Sequence, residues 1–169
     1  MRSQGPAGER VPDPETRLQH ARDLAWRLLD RRDRTIAELR QKLTDKRVEP
    51  GLIDRVVDEL TESGYLDDAR YAERFTEDRR RLDAWGPERI ERRLRSLGVE
   101  REHIEAALGD RESEDELAAA LELLRRRFPA RPETPRERDR ALGVLVRKGY
   151  GSELAYDALR RHAGVAELD

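Results

Sequence analysis

The sequence predicts an all-α protein, a tandem repeat of three three-helix units forming an elongated, curved molecule. Three observations predict it. Apolar residues recur at helical spacing almost throughout, with no convincing alternating strand. Helix start and stop signals punctuate the chain at regular intervals. One five-residue apolar pattern returns intact at a fixed offset: Leu39, Leu43, Val48, Ile53 and Val57 recur as Ile90, Leu94, Val99, Ile104 and Leu108, each displaced by 51 residues. A weaker third copy runs Leu142, Val146, Tyr150, Ala155 and Leu159. Units this short bury little alone, so neighbours are expected to stack.

The elements follow in order. Residues 1–13, within MRSQGPAGERVPDPE, lack the apolar core of a signal peptide and read as a disordered leader. A first helix over 14–32 aligns Leu18, Ala21, Ala25, Leu28 and Leu29 on one face. A second over 36–46 opens on the capping box Thr35-Ile-Ala-Glu38, in which hydroxyl and carboxylate satisfy free backbone N–H groups. A third over 50–63 starts at Pro50, where a missing N–H is tolerated, and stops before Gly64. These make the first repeat, 14–66.

The second repeat, 67–109, has helices over 68–82, 87–97 and 101–108. Pro87 opens the middle one and Gly98 follows it. The third repeat, 113–163, has helices over 114–127, 135–148 and 152–162. Ser113 with Glu116 and Thr134 with Glu137 repeat the capping box, and Gly149 terminates the second of these helices. FPARPETP (128–135) interrupts the repeat as an exposed Pro-rich loop, centred on 129–135.

Composition narrows the function. Charged residues make up 43% of the 169 residues, against ~25% in ordinary globular domains. The net charge of −2 excludes a globally basic nucleic-acid binder but permits a local basic face. No cysteine is present, which removes disulfides and thiolate metal sites. No apolar run approaches the ~20 residues of a membrane span. The expectation is a soluble cytoplasmic monomer without a membrane partner.

No phosphate-binding glycine loop and no nucleophile elbow occurs, so neither bound nucleotide nor hydrolysis is expected. His20, His103 and His162 sit in separate helices with no His or Cys four residues away, an unpromising zinc set. Catalytic residues, metals and cofactors are therefore all expected to be none.

The stretch GYLDDARYAERF (64–75) concentrates two tyrosines and a phenylalanine around Asp67-Asp68. Asp67 is expected to be the N-cap of the fourth helix, with Asp68 at the positive end of its dipole. Adjacent helical residues diverge by ~100°, so the two carboxylates do not converge on a substrate or metal. Leu66 and Tyr71 have the spacing of a hydrophobic staple, as do Val48/Ile53, Trp85/Ile90, Val99/Ile104 and Tyr150/Ala155. Tyr71, Phe75 and Leu82 are expected to be the buried stripe.

The arginines admit two readings. Residues 67–109 hold ten arginines against eleven acids, as solvated faces of i±4 ion pairs would. Stacked repeats could instead segregate arginine onto one side, a face for acidic protein or nucleic acid. The candidate contacts are Arg70, Arg74, Arg79, Arg89, Arg92, Arg140, Arg147 and Lys148. Arg125, Arg126 and Arg127 form a further run at a helix end.

GYLDDARYAERFTEDR (64–79) resembles the RecX family of bacterial recombination regulators, and the resemblance continues through WGPERIERRLRSLGV (85–99) to RALGVLVRKGY (140–150). It spans roughly 18–162. It implies a non-enzymatic protein that binds RecA and the RecA–single-stranded DNA filament and inhibits RecA recombinase, ATPase and coprotease activities. Motif matching makes Arg70 and Arg79 the leading polar contacts, and Gly64, Asp67, Tyr71, Phe75, Gly86, Ile90 and Leu94 structural positions. Arg93, and the absence of an aromatic residue at Gly143-Val144-Leu145, depart from the family pattern. The alternative is a helical-repeat module that binds nucleic acid without RecA, contacting DNA weakly and with steep salt dependence.

Overall fold

A computed structural model describes residues 13–109 and 113–164. The leader up to residue 12 and the Ser113 side chain of the expected third capping box lie outside the described residues. Among those described, the regular structure is nine helices and no strand. They are α1 (Pro14–Arg31), α2 (Ile36–Asp45), α3 (Pro50–Glu62), α4 (Asp68–Asp83), α5 (Pro87–Ser96), α6 (Arg101–Leu108), α7 (Ser113–Arg127), α8 (Pro135–Lys148) and α9 (Ser152–Ala163).

The chain divides into two compact units, Met1–Leu66 and Asp67–Asp169. In the first, α1, α2 and α3 pack on one another around Leu18, Leu39, Leu43, Ile53, Val56 and Val57. Thr35 closes the expected capping box on Glu38, and the hydroxyl is fully buried. Polar clamps fix the triad from outside. Arg22 donates Nε and Nη2 to the two Glu59 oxygens, both at 2.8 Å, tying α1 to α3. Arg40 reaches Asp54, tying α2 to α3.

The second unit holds two helix triads with separate cores. One gathers Ala72, Ile90, Leu94, Val99 and Ile104 from α4 to α6. The other gathers Leu117, Ala120, Leu124, Ala141, Leu145 and Ala155 from α7 to α9. The Arg80 guanidinium donates to the Leu108 carbonyl at 2.8 Å, linking α4 to the C-terminus of α6.

The 51-residue offset carries over into backbone conformation. Arg47, Gly98 and Gly149 are equivalent turn positions after α2, α5 and α8, and all have positive φ, at 61°, 79° and 89°. Two triads use glycine where a Cβ is strained; the first tolerates an arginine. Among the described residues, Ala84 is the other non-glycine residue with positive φ, at 51°, capping α4.

One expectation about side chains needs correction. Leu82 is 61% exposed and not part of a buried stripe; α4 buries Ala72 and Thr76, with Tyr71 and Phe75 half-buried. The helix turns Ala72, not Leu82, toward α5 and α6 because its apolar stripe is short and its last turn is an arginine run. Leu66 belongs to the core of the first unit, and Tyr71 packs with that of α4–α6. The other four staple pairs each share a core.

Candidate binding surface

The chemistry-bearing region begins at the N-terminus of α4. Asp67 accepts the Arg70 backbone N–H at 2.9 Å, as an N-cap should. Asp68 is buried in the first turn. The double acid thus serves the helix start. One turn and two turns on, the Arg70 and Arg74 side chains are exposed.

The aromatic residues of the same stretch build a row. Tyr71 stacks on Phe75 with centroids 6.2 Å apart, and Phe75 meets Trp85 edge-on at 6.2 Å. Two arginines close on this row. Arg79 lies 5.4 Å from the Phe75 ring centroid and 5.7 Å from that of Trp85, and pairs with Asp83 at 2.6 Å. Arg89 stands over Trp85 at 4.1 Å. Cation–π contacts of this kind hold a guanidinium in place at ~0.5–2 kcal/mol each.

Arg89 also reaches across to the last triad. Its Nη1 donates to the Arg147 carbonyl at 2.9 Å. Around it, backbone meets backbone. The Gly86 N–H donates to the Lys148 carbonyl at 2.7 Å and the Glu88 N–H to the Gly149 carbonyl at 3.1 Å. Lys148 Nζ donates to the Asp83 carbonyl at 2.5 Å, and the Tyr150 hydroxyl to the Ala84 carbonyl at 3.3 Å. These donors satisfy the C-terminal carbonyls of α4 and α8 that no helix bond can reach. The approach is this close because Gly86 and Gly149 both lack a side chain.

The structure therefore sorts the eight sequence-predicted contacts. Arg89, Arg147 and Lys148 come together at the junction of the second and third triads and line one cavity. Arg79 stands next to them through Trp85, engaged with Asp83. Arg70, Arg74, Arg92 and Arg140 are exposed and lie outside that cavity. Arg126 and Arg127 at the end of α7 also line it. Their signal in the sequence was the run 125–127, whose partners across the junction no helical periodicity reveals.

Burial pushes the Lys148 pKa down, and the Arg89 charge beside it pushes the same way. His162 meets the Phe128 carbonyl through Nε2 at 3.0 Å, a helix-end contact. Among the described residues no group of three His, Cys, Asp or Glu side chains is placed to hold a metal ion. None of the described helices is long and apolar enough to cross a membrane.

Comparison with known proteins decides the family. Residues 21–60 match the first three-helix domain of RecX, 67–108 the second and 114–159 the third. The chain belongs to the RecX family. The regulatory protein RecX of Mycolicibacterium smegmatis is 36% identical over 160 residues, spanning 91% of this chain and 85% of the relative. That of Deinococcus radiodurans is 36% identical over 98% of this chain and 79% of its own length. The RecX of Halorhodospira halophila is 40% identical over 88% of this chain and 89% of the relative. The crystal structure of RecX from Lactobacillus salivarius superposes with a TM-score of 0.77 at 18% identity, covering 89% of this chain and 99% of that one. A second crystal structure, of a regulatory protein RecX, gives 0.72 at 24% identity, over 86% and 72%. At these identities the two structures speak for the fold, an all-α array of three RecX domains.

Proposed function

We propose that this RecX-family chain binds RecA and its single-stranded DNA filament and inhibits RecA recombinase, ATPase and coprotease activities. The chain acts as a monomeric cytoplasmic regulator without cofactor or catalytic residue. One observation carries the reading: all three RecX domains are matched in order, in a chain similar over most of its length to proteins named as regulators.

The physical features support it. Exposed Arg70 and Arg74 offer guanidinium forks that suit carboxylates and phosphates. Arg92 and Arg140 are exposed likewise, and Arg79, Arg89, Arg147 and Lys148 lie near or at the junction. Asp67 caps α4, and Asp68 is buried in its first turn.

The test is RecA ATP hydrolysis on single-stranded DNA with the purified chain added. The proposal expects inhibition at near-stoichiometric chain, weakened in Arg70→Ala plus Arg74→Ala at unchanged melting temperature. Undiminished hydrolysis at that ratio would reject it.

A further inference from the structure

The junction between the second and third triads encloses a cavity of about 350 Å³. Its walls are Arg89, Arg126, Arg127, Arg147 and Lys148, with Leu123 and Val144 behind them. Five cations and no carboxylate line it. Several arginines elsewhere in the second unit are paired with acids. Arg81 pairs with Asp78, Arg95 with Glu91, Arg101 with Glu105, and Arg160 and Arg161 with Asp157. Asp83, the nearest acid acting on Lys148, is already taken by Arg79.

Helix dipoles account for cations singly. Arg126 and Arg127 end α7, and Arg147 and Lys148 end α8, where carbonyl ends favour positive charge. The dipole does not explain why two such ends and Arg89 of α5 are brought to one concavity. Among the described residues none of the five makes an ion pair; Arg89 and Lys148 donate only to backbone carbonyls. Gly143, one turn before Arg147, leaves room for its guanidinium: a Cβ there would come within 2.9 Å of Nη1. The cluster costs folding energy by mutual repulsion, and a bound anion removes that cost.

We infer that this cavity is a binding site for phosphate groups. Each guanidinium presents a planar fork of donors matched to a phosphate's oxygens, and four arginines with a lysine supply more donors than one carboxylate can accept. The site stands on this geometry and not on the RecA reading, so its test leaves RecA out. Two sources share the chemistry, a phosphodiester strand and a free phosphate ion.

The experiment titrates the full chain into fluorescently labelled oligothymidylate, and separately adds inorganic phosphate, at a series of salt concentrations. The comparison variants are Arg126→Ala plus Arg147→Ala, and Arg101→Ala on the exposed face of α6. The Arg147 carbonyl that receives Arg89 survives in the alanine variant and two repelling charges are removed, so the melting temperature is expected to hold or rise. The double variant is expected to lose at least about tenfold in oligonucleotide affinity, the scale of two charged hydrogen bonds. The slope of log K on log salt should fall by about 1.4, two phosphate contacts at ~0.7 each. Arg101→Ala should match the parent. Phosphate binding alone, lost in the double variant, supports the site with a free ion as its source. Oligonucleotide binding equal in the parent and the double variant, or no binding of either probe, overturns the inference. So does equal affinity for poly-glutamate.

Discussion

Adding one methyl group at Gly149 is the sharpest test of how the second and third triads are joined. A Cβ at Gly149 would lie 2.3 Å from the Arg89 Cβ and 2.5 Å from its backbone nitrogen. Nonbonded carbon contacts sit near ~3.5–4.0 Å, so the overlap exceeds an ångström and its partner is helix backbone that cannot swing aside. Relief requires α5 to retreat from the α8–α9 turn, breaking the hydrogen bonds Gly86 N–H to Lys148 and Glu88 N–H to Gly149. Two such bonds are worth about 1 kcal/mol each. Residual overpacking adds ~1–3 kcal/mol, and the left-handed φ of 89° adds ~1 kcal/mol for any residue with a Cβ. Gly149→Ala should therefore lose ~4–6 kcal/mol.

Two companion variants separate these causes. Gly64→Ala carries the strain alone, with φ 75° and open space around its Cβ, and should cost ~1 kcal/mol in the first unit. Gly86→Ala carries the clash alone: φ is −80°, but its Cβ would sit 2.4 Å from the Gly149 carbonyl oxygen. It should cost ~3–5 kcal/mol. The junction opens only once, so Gly86→Ala plus Gly149→Ala should fall well short of the sum. Urea denaturation followed by circular dichroism gives the energies, and hydrogen exchange should show the Gly86 and Glu88 amides losing protection. A Gly86→Ala variant as mild as Gly64→Ala, or an additive pair, would show that the two backbones do not meet tightly at this junction.

Other outcomes follow from single contacts. Arg47→Gly relieves a positive φ of 61° at the position where the other triads carry glycine, and should raise the first unit's stability by up to ~1 kcal/mol, read from its urea midpoint. Asp67→Ala removes the acceptor of the Arg70 N–H and should cost about 1 kcal/mol, whereas Asp67→Asn keeps the cap and should cost only a few tenths. Glu59 is held below the usual carboxylate range by its hydrogen bonds from Arg22. A depressed folded pKa stabilises above the unfolded value of ~4.3, and that contribution disappears as pH falls through the folded pKa. The urea midpoint of the first unit should therefore drop below about pH 4.3, and Glu59→Gln should flatten that drop.

The elements were legible in the sequence because their signals are local. Thr35 with Glu38 and Thr134 with Glu137 fix helix starts through bonds spanning three residues. Gly98 and Gly149 mark turns that need positive φ. Leu82 misled because an apolar residue at helical spacing is buried only if another element covers that position, and none of the described residues does. The charge clusters were least legible. Arg89 and Lys148 are 59 positions apart, and nothing in their local pattern shows that Gly86 and Gly149 let two backbones touch between them. Arg126 and Arg127 read as one more basic helix end until the junction places them opposite Arg89.

Recognition of RecA assembled on DNA, as opposed to DNA alone, is separated by comparing two surfaces. Oligothymidylate is immobilised bare or coated with RecA and a slowly hydrolysed ATP analogue, and binding of the chain is measured to each at one salt concentration. Affinity for the coated strand is expected to be at least about tenfold above that for bare DNA, or roughly 1.4 kcal/mol. Equal binding to both surfaces, or none to the coated one, would contradict that recognition.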